Sequence, residues 1–128
     1  VGDSPLGIAI IESKGLAIIG NVDSQNLSVI DLKKNEVIET IAIGTAPLGL
    51  TPHPSGEKVF ITSWFKSQVL VLSTKDFSVT KAFNVGVTPS GIVFNKKYNF
   101  IVITSRDENL VEIYNATDYS LYKKIKVG

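Results

Sequence analysis

The side chains best suited to chemistry gather in three short polar stretches, Asp23-Ser24-Gln25-Asn26, Trp64-Phe65-Lys66-Ser67-Gln68 and Arg106-Asp107-Glu108-Asn109. Arg106 offers a planar fork that matches a carboxylate, and Trp64 and Phe65 are rings of the kind that anchor interfaces from loops. With Asp23, Asn26, Lys66, Gln68, Asp107 and Asn109 they make the candidate binding set for a ligand or partner. Each has a structural alternative. Trp64 would pack over the edge of its own element, and Arg106 would pair with Asp107 or Glu108 on a solvated surface.

Reactive groups are scarce. His53, in Thr51-Pro52-His53-Pro54, is the single histidine, and a typical zinc site takes several His, Cys or carboxylate ligands. A turn role is expected for it, on the face opposite the candidate set. The chain has no Cys, which removes disulfides, thiolate nucleophiles and thiolate metal sites. Asp3, Asp23, Asp31, Asp107 and Glu108 lack calcium-loop spacing. No Ser, His and Asp arrangement is readable, no Gly-rich phosphate loop precedes a helix, and no basic stripe interleaves with aromatics. The expectation is a module with no catalytic residue, no metal and no cofactor.

What positions the three stretches is a repeat. Gly2, Pro5 and Gly7 recur as Gly44, Pro47 and Gly49 and again as Gly86, Pro89 and Gly91, a period of 42 residues without insertion. Each unit resolves into four short runs of β type: in the first, Leu6 to Ile11, Leu16 to Val22, Leu27 to Leu32 and Val37 to Ile43. The second and third runs are almost continuously apolar, so both their faces must be covered. The fourth carries Glu39, Lys81 or Lys123 among its apolar residues, as suits an outer strand guarded against stray pairing. A four-stranded unit of about 40 to 45 residues is a propeller blade, stabilised mainly by its neighbours. The fold class is therefore all-β, three consecutive antiparallel blades at 1–42, 43–84 and 85–126, with 127–128 beginning the next repeat. Pro and Gly serve the crossing from one blade to the next, where backbones crowd.

Composition agrees. Of 128 residues 44% are hydrophobic, which excludes a disordered tail. Thirteen Lys and Arg stand against 12 Asp and Glu, so no net field draws the chain to nucleic acid or anionic lipid. The longest apolar runs fall far short of the roughly 20 residues that cross a bilayer, and no membrane insertion is expected. Val1 follows no leader and Met is absent, which reads as an excised segment or a mature fragment.

The pattern resembles the YVTN-type β-propeller repeat, close to the NHL and lactonase-like propellers, over the whole chain. Ile18-Ile19-Gly20-Asn21, Phe60-Ile61-Thr62-Ser63 and Val102-Ile103-Thr104-Ser105 stand at its second element, and Leu27-Ser28-Val29-Ile30-Asp31 at its third. Ser73 and Asn115 replace that Asp in the later copies, and no Tyr opens the second element. The resemblance implies a periplasmic or cell-surface platform for proteins or small ligands, with the site over the axis on the face where blades are joined. It also leaves open a fragment of a lactonase-like or cofactor-dependent enzyme, and an excised piece with no activity of its own.

Closed propellers carry roughly four to eight blades, so three leave an apolar face open at each end. Further blades of a parent chain, or a second copy closing a six-bladed ring, would cover those faces.

Overall fold

Short β-branched runs alternate with residues that accept left-handed backbone, and this sets the architecture of each repeat. Gln25, Ser67 and Asn109 hold positive φ at one position of the repeat, and Asn35, Phe77 and Tyr119 at another. Those positions turn the chain between the second and third strands and between the third and fourth. In a computed structural model describing residues Val1–Gly128, the first sheet is β1 (Pro5–Ile11), β2 (Leu16–Asn21), β3 (Asn26–Asp31) and β4 (Glu36–Ala42). The second is β5 (Pro47–Pro52), β6 (Lys58–Ser63), β7 (Gln68–Ser73) and β8 (Val79–Asn84). The third is β9 (Pro89–Asn95), β10 (Phe100–Ser105), β11 (Leu110–Asn115) and β12 (Leu121–Lys126). Each sheet is an antiparallel meander in chain order.

The innermost strands β1, β5 and β9 lie side by side, and the sheets fan out from them as three propeller blades. Gly7 and Gly49 make that crowding tolerable: a Cβ at Gly7 would overlap the Leu48 carbonyl, and one at Gly49 the Ser90 carbonyl. Outermost strands β4, β8 and β12 are largely solvent-facing, as their charges require.

Two seams join the blades, and they differ in kind. Between blades 1 and 2 the core is aliphatic, with Ile11, Ile18, Leu27 and Val29 against Val59, Ile61 and Leu72. Between blades 2 and 3 it is aromatic: Phe60 stacks on Phe94 at 6.0 Å, and Phe83 on Tyr119 at 4.8 Å. No helix of the fold is long and apolar enough to cross a membrane.

Candidate functional site

Each turn between second and third strands sits on the same face as the crossing segment that leads into its own blade. One backbone bond repeats there in all three blades: the N–H groups of Val22, Trp64 and Arg106 donate to the carbonyls of Ser4, Ala46 and Thr88, at 3.0, 3.1 and 3.1 Å. Side chains reinforce it in the outer blades, where the Ser4 hydroxyl donates to the Asp23 carboxylate and the Thr88 hydroxyl to Asp107. Glu108 accepts the Val87 N–H at 3.1 Å as well.

Blade 2 lacks this clamp. Phe65 stands where Asp23 and Asp107 stand, and Ala46 replaces the hydroxyl residue. Thr45 bonds Ser63 instead, at 2.6 Å between hydroxyl oxygens, and Gly44 takes the left-handed backbone that Ser4 and Thr88 take in the other copies. The turn released in this way carries Trp64, half-buried, stacked on Phe65 at 5.2 Å, with Phe65 70% exposed.

A cleft of about 530 Å³ opens beside it. Its floor is one repeat position in three copies, Leu6, Leu48 and Ser90, with the backbones of Gly49 and Gly91. Trp64 and Arg106, from neighbouring blades, form its walls. Arg106 is exposed, and its Nε lies 3.7 Å from the Asp107 carboxylate, a solvated ion pair that holds the guanidinium weakly.

The candidate residues therefore divide. Trp64 and Arg106 meet at the cleft, with Phe65 against Trp64 and Lys66 exposed in the same turn. Asp23 and Asp107 are engaged by their own crossing segments. Asn109 caps the short 3-10 turn Arg106–Glu108 in left-handed conformation. Asn26 and Gln68 open β3 and β7 rather than lying in loops, where Asn26 accepts from the Asn21 amide at 2.8 Å and Gln68 donates to Asn84 at 3.3 Å. Ser4, Thr88 and Leu6 belong to the face too. For Ser4 and Thr88 the signal lies only in comparing the copies, where the residue before each Pro is Ser, Ala or Thr in step with Asp, Phe or Asp in the turn.

His53 lies on the opposite face, in a smaller pocket of about 390 Å³ between Ile10, Glu12 and Ser13 of blade 1 and Pro52 and Gly56 of blade 2. Its Nδ1 accepts the Ser55 N–H at 3.0 Å, a turn-stabilising bond. No three His, Asp or Glu side chains gather in a metal-binding group anywhere in the chain.

No protein-family model matches the sequence, and no curated protein does. Solved structures match it in shape: the chain superposes on Kuenenia stuttgartiensis hydrazine synthase with a TM-score of 0.89 at 16% identity, over 98% of this chain and 36% of that one. The likeness is one of fold, and this chain spans about a third of that neighbour's length.

Proposed function

We propose that the chain is a binding module of YVTN repeat type, suited to an extracytoplasmic setting, whose crossing face takes a group that is anionic at one end and flat and apolar at the other. The observation that carries this reading is the meeting of Trp64 and Arg106, from different blades, across one cleft whose floor includes Leu6 and Leu48. An indole wall and Leu6 and Leu48 below it favour an apolar body, while an exposed guanidinium favours a carboxylate on it. A protein partner would supply both through an acidic residue beside an aromatic one.

Trp64 is the only tryptophan, so its emission reports on the cleft directly. Titration with phenylacetate should change that emission saturably, and the uncharged phenylacetamide should bind at least about tenfold weaker. Arg106→Ala should erase the difference between the two probes, and Trp64→Phe with Lys66→Ala should lower affinity for both in a competition assay. Unchanged emission at saturating probe, with the fold intact, would end this reading.

A further inference from the structure

The two ends of the blade stack match each other. The front of blade 2, packed on blade 1, consists of Leu50, Ile61 and Leu70 in one row and Pro52, Val59 and Leu72 in the next. The same repeat positions in blade 1 are Ile8, Ile19 and Ser28, then Ile10, Ala17 and Ile30. There they face no blade: Ile8 is 56% and Ile10 42% exposed, Ile19 and Ile30 are half-buried, and the small Ala17 and Ser28 are buried. On the back, Ala9, Ile18 and Val29 of blade 1 are buried by blade 2. Their equivalents in blade 3, Val93, Val102 and Ile113, form an open row in which Val93 is 48% exposed. One chain thus carries both halves of a third seam.

Gly91 sharpens this. Gly7 and Gly49 are glycine because the carbonyl of the next inner strand, from Leu48 or Ser90, occupies the place of a side chain. Gly91 has no left-handed φ, and a Cβ there would meet only the Thr104 side chain. Within the chain only the Thr104 hydroxyl, 3.0 Å from such a Cβ, crowds this position, and no backbone atom does. Thr62 adds a relay, accepting the Gly49 N–H at 2.8 Å and donating to the Ser90 carbonyl at 2.8 Å. Thr104 repeats the first half, accepting the Gly91 N–H at 2.8 Å, and within residues 1–128 its hydroxyl meets no inner-strand carbonyl of a further blade. The residue at the position of Leu48 and Ser90 in blade 1 is Leu6. Charge points the same way: residues 1–42 hold six carboxylates against three lysines, and residues 85–128 hold six Lys and Arg against four carboxylates.

We infer that two copies of this chain join head to tail, the back of blade 3 of one on the front of blade 1 of the other, with the second copy's Leu6 carbonyl resting on Gly91 and accepting the Thr104 hydroxyl. A two-fold pair makes this seam twice and closes a six-bladed ring, setting two Trp64–Arg106 clefts around one axis. The inference does not rest on what the cleft binds, although Leu6 and Gly91 line the cleft as well as the seam.

Sedimentation equilibrium of the chain should give twice its 13.9 kDa mass, with dissociation favoured at high salt. Ile8→Asp and Ile113→Asp, at open positions that leave the fold intact by circular dichroism, should each be monomeric. Mixed together they should recover a two-copy mass, because the mixture restores one unaltered seam. Gly91→Ala should weaken pairing at least tenfold without lowering the stability of the monomer. A wild-type monomer at every concentration would overturn the inference. So would a pair that survives either single Asp variant, a mass beyond two copies, or full pairing by Gly91→Ala.

Discussion

Glu112 is fully buried between blades 2 and 3, at a repeat position filled by Ser28 and Leu70 in the other copies. Its carboxyl group accepts the Tyr114 hydroxyl at 2.6 Å, the Gly86 N–H at 2.9 Å and the Ser105 hydroxyl. Three donors offset the desolvation that would otherwise expel such a group. Burial first, and then the bond to Glu112, raise the pKa of Tyr114 well above the ordinary phenol value, keeping it a donor. Glu112→Leu strands all three donors and should cost about 3 kcal/mol by urea denaturation, whereas Glu112→Gln should cost clearly less. His53 gives a second test. Burial, and then the charge of Lys58, hold its pKa below the ordinary 6.5, and protonation of Nδ1 would forfeit the Ser55 bond. The unfolded chain then binds the proton more readily, so this contribution is present above pH 6.5 and lost as pH falls through the folded pKa. NMR of the one imidazole should show a midpoint under 6.5, and His53→Gln should flatten the fall in stability over that window. Asp31, Asp76 and Asp118 do not confuse the reading, because their turn hydrogen bonds hold them below 3.8.

Among elements, the turns between second and third strands decide whether a blade is fastened or available. Ser4 with Asp23 and Thr88 with Asp107 fasten the outer blades, and Ala46 with Phe65 leaves the middle turn free to present rings. Installing the clamp with Ala46→Ser and Phe65→Asp together should stabilise the chain by about 1 kcal/mol in thermal unfolding, with either change alone gaining nothing. The same pair of substitutions should weaken the phenylacetate response at Trp64. Strands and their order were legible in the sequence because the repeat places the Gly-x-x-Pro-x-Gly set and the apolar runs three times over. Asn26 and Gln68 looked like loop residues because polarity alone marks a turn, and a polar residue paired across a strand end carries the same mark. The clamps were missed for a different reason: a hydroxyl and a carboxylate about 20 positions apart, as in Ser4 and Asp23, share no local pattern, and only comparison of the copies links them. Trp64 and Arg106 stood out as breaks in the repeat, but that both wall one cleft depends on how adjacent blades lean.

At the scale of the whole molecule, protection should follow how many neighbours a blade has. Blade 2 alone is covered on both faces, by the aliphatic seam on one side and the aromatic seam on the other. In the monomeric Ile8→Asp variant amide exchange should be slowest in β6 and β7 and fastest at the ends of β4 and β12, and if copies of the unaltered chain pair as inferred, pairing should slow exchange in β1 and β9 while sparing the middle blade. Uniform protection across the three blades of the monomeric variant would contradict this gradient. The contrast between the seams has one more consequence. Phe60 and Phe94 were fitted to each other, as were Ile18 and Ile61, so a recombination that shuffled the three copies would set benzene rings against methyl groups sized for something else. The units share one pattern, yet they are not exchangeable, and lengthening such a chain by duplication would succeed only where the new junction reproduces a side-chain match that already exists.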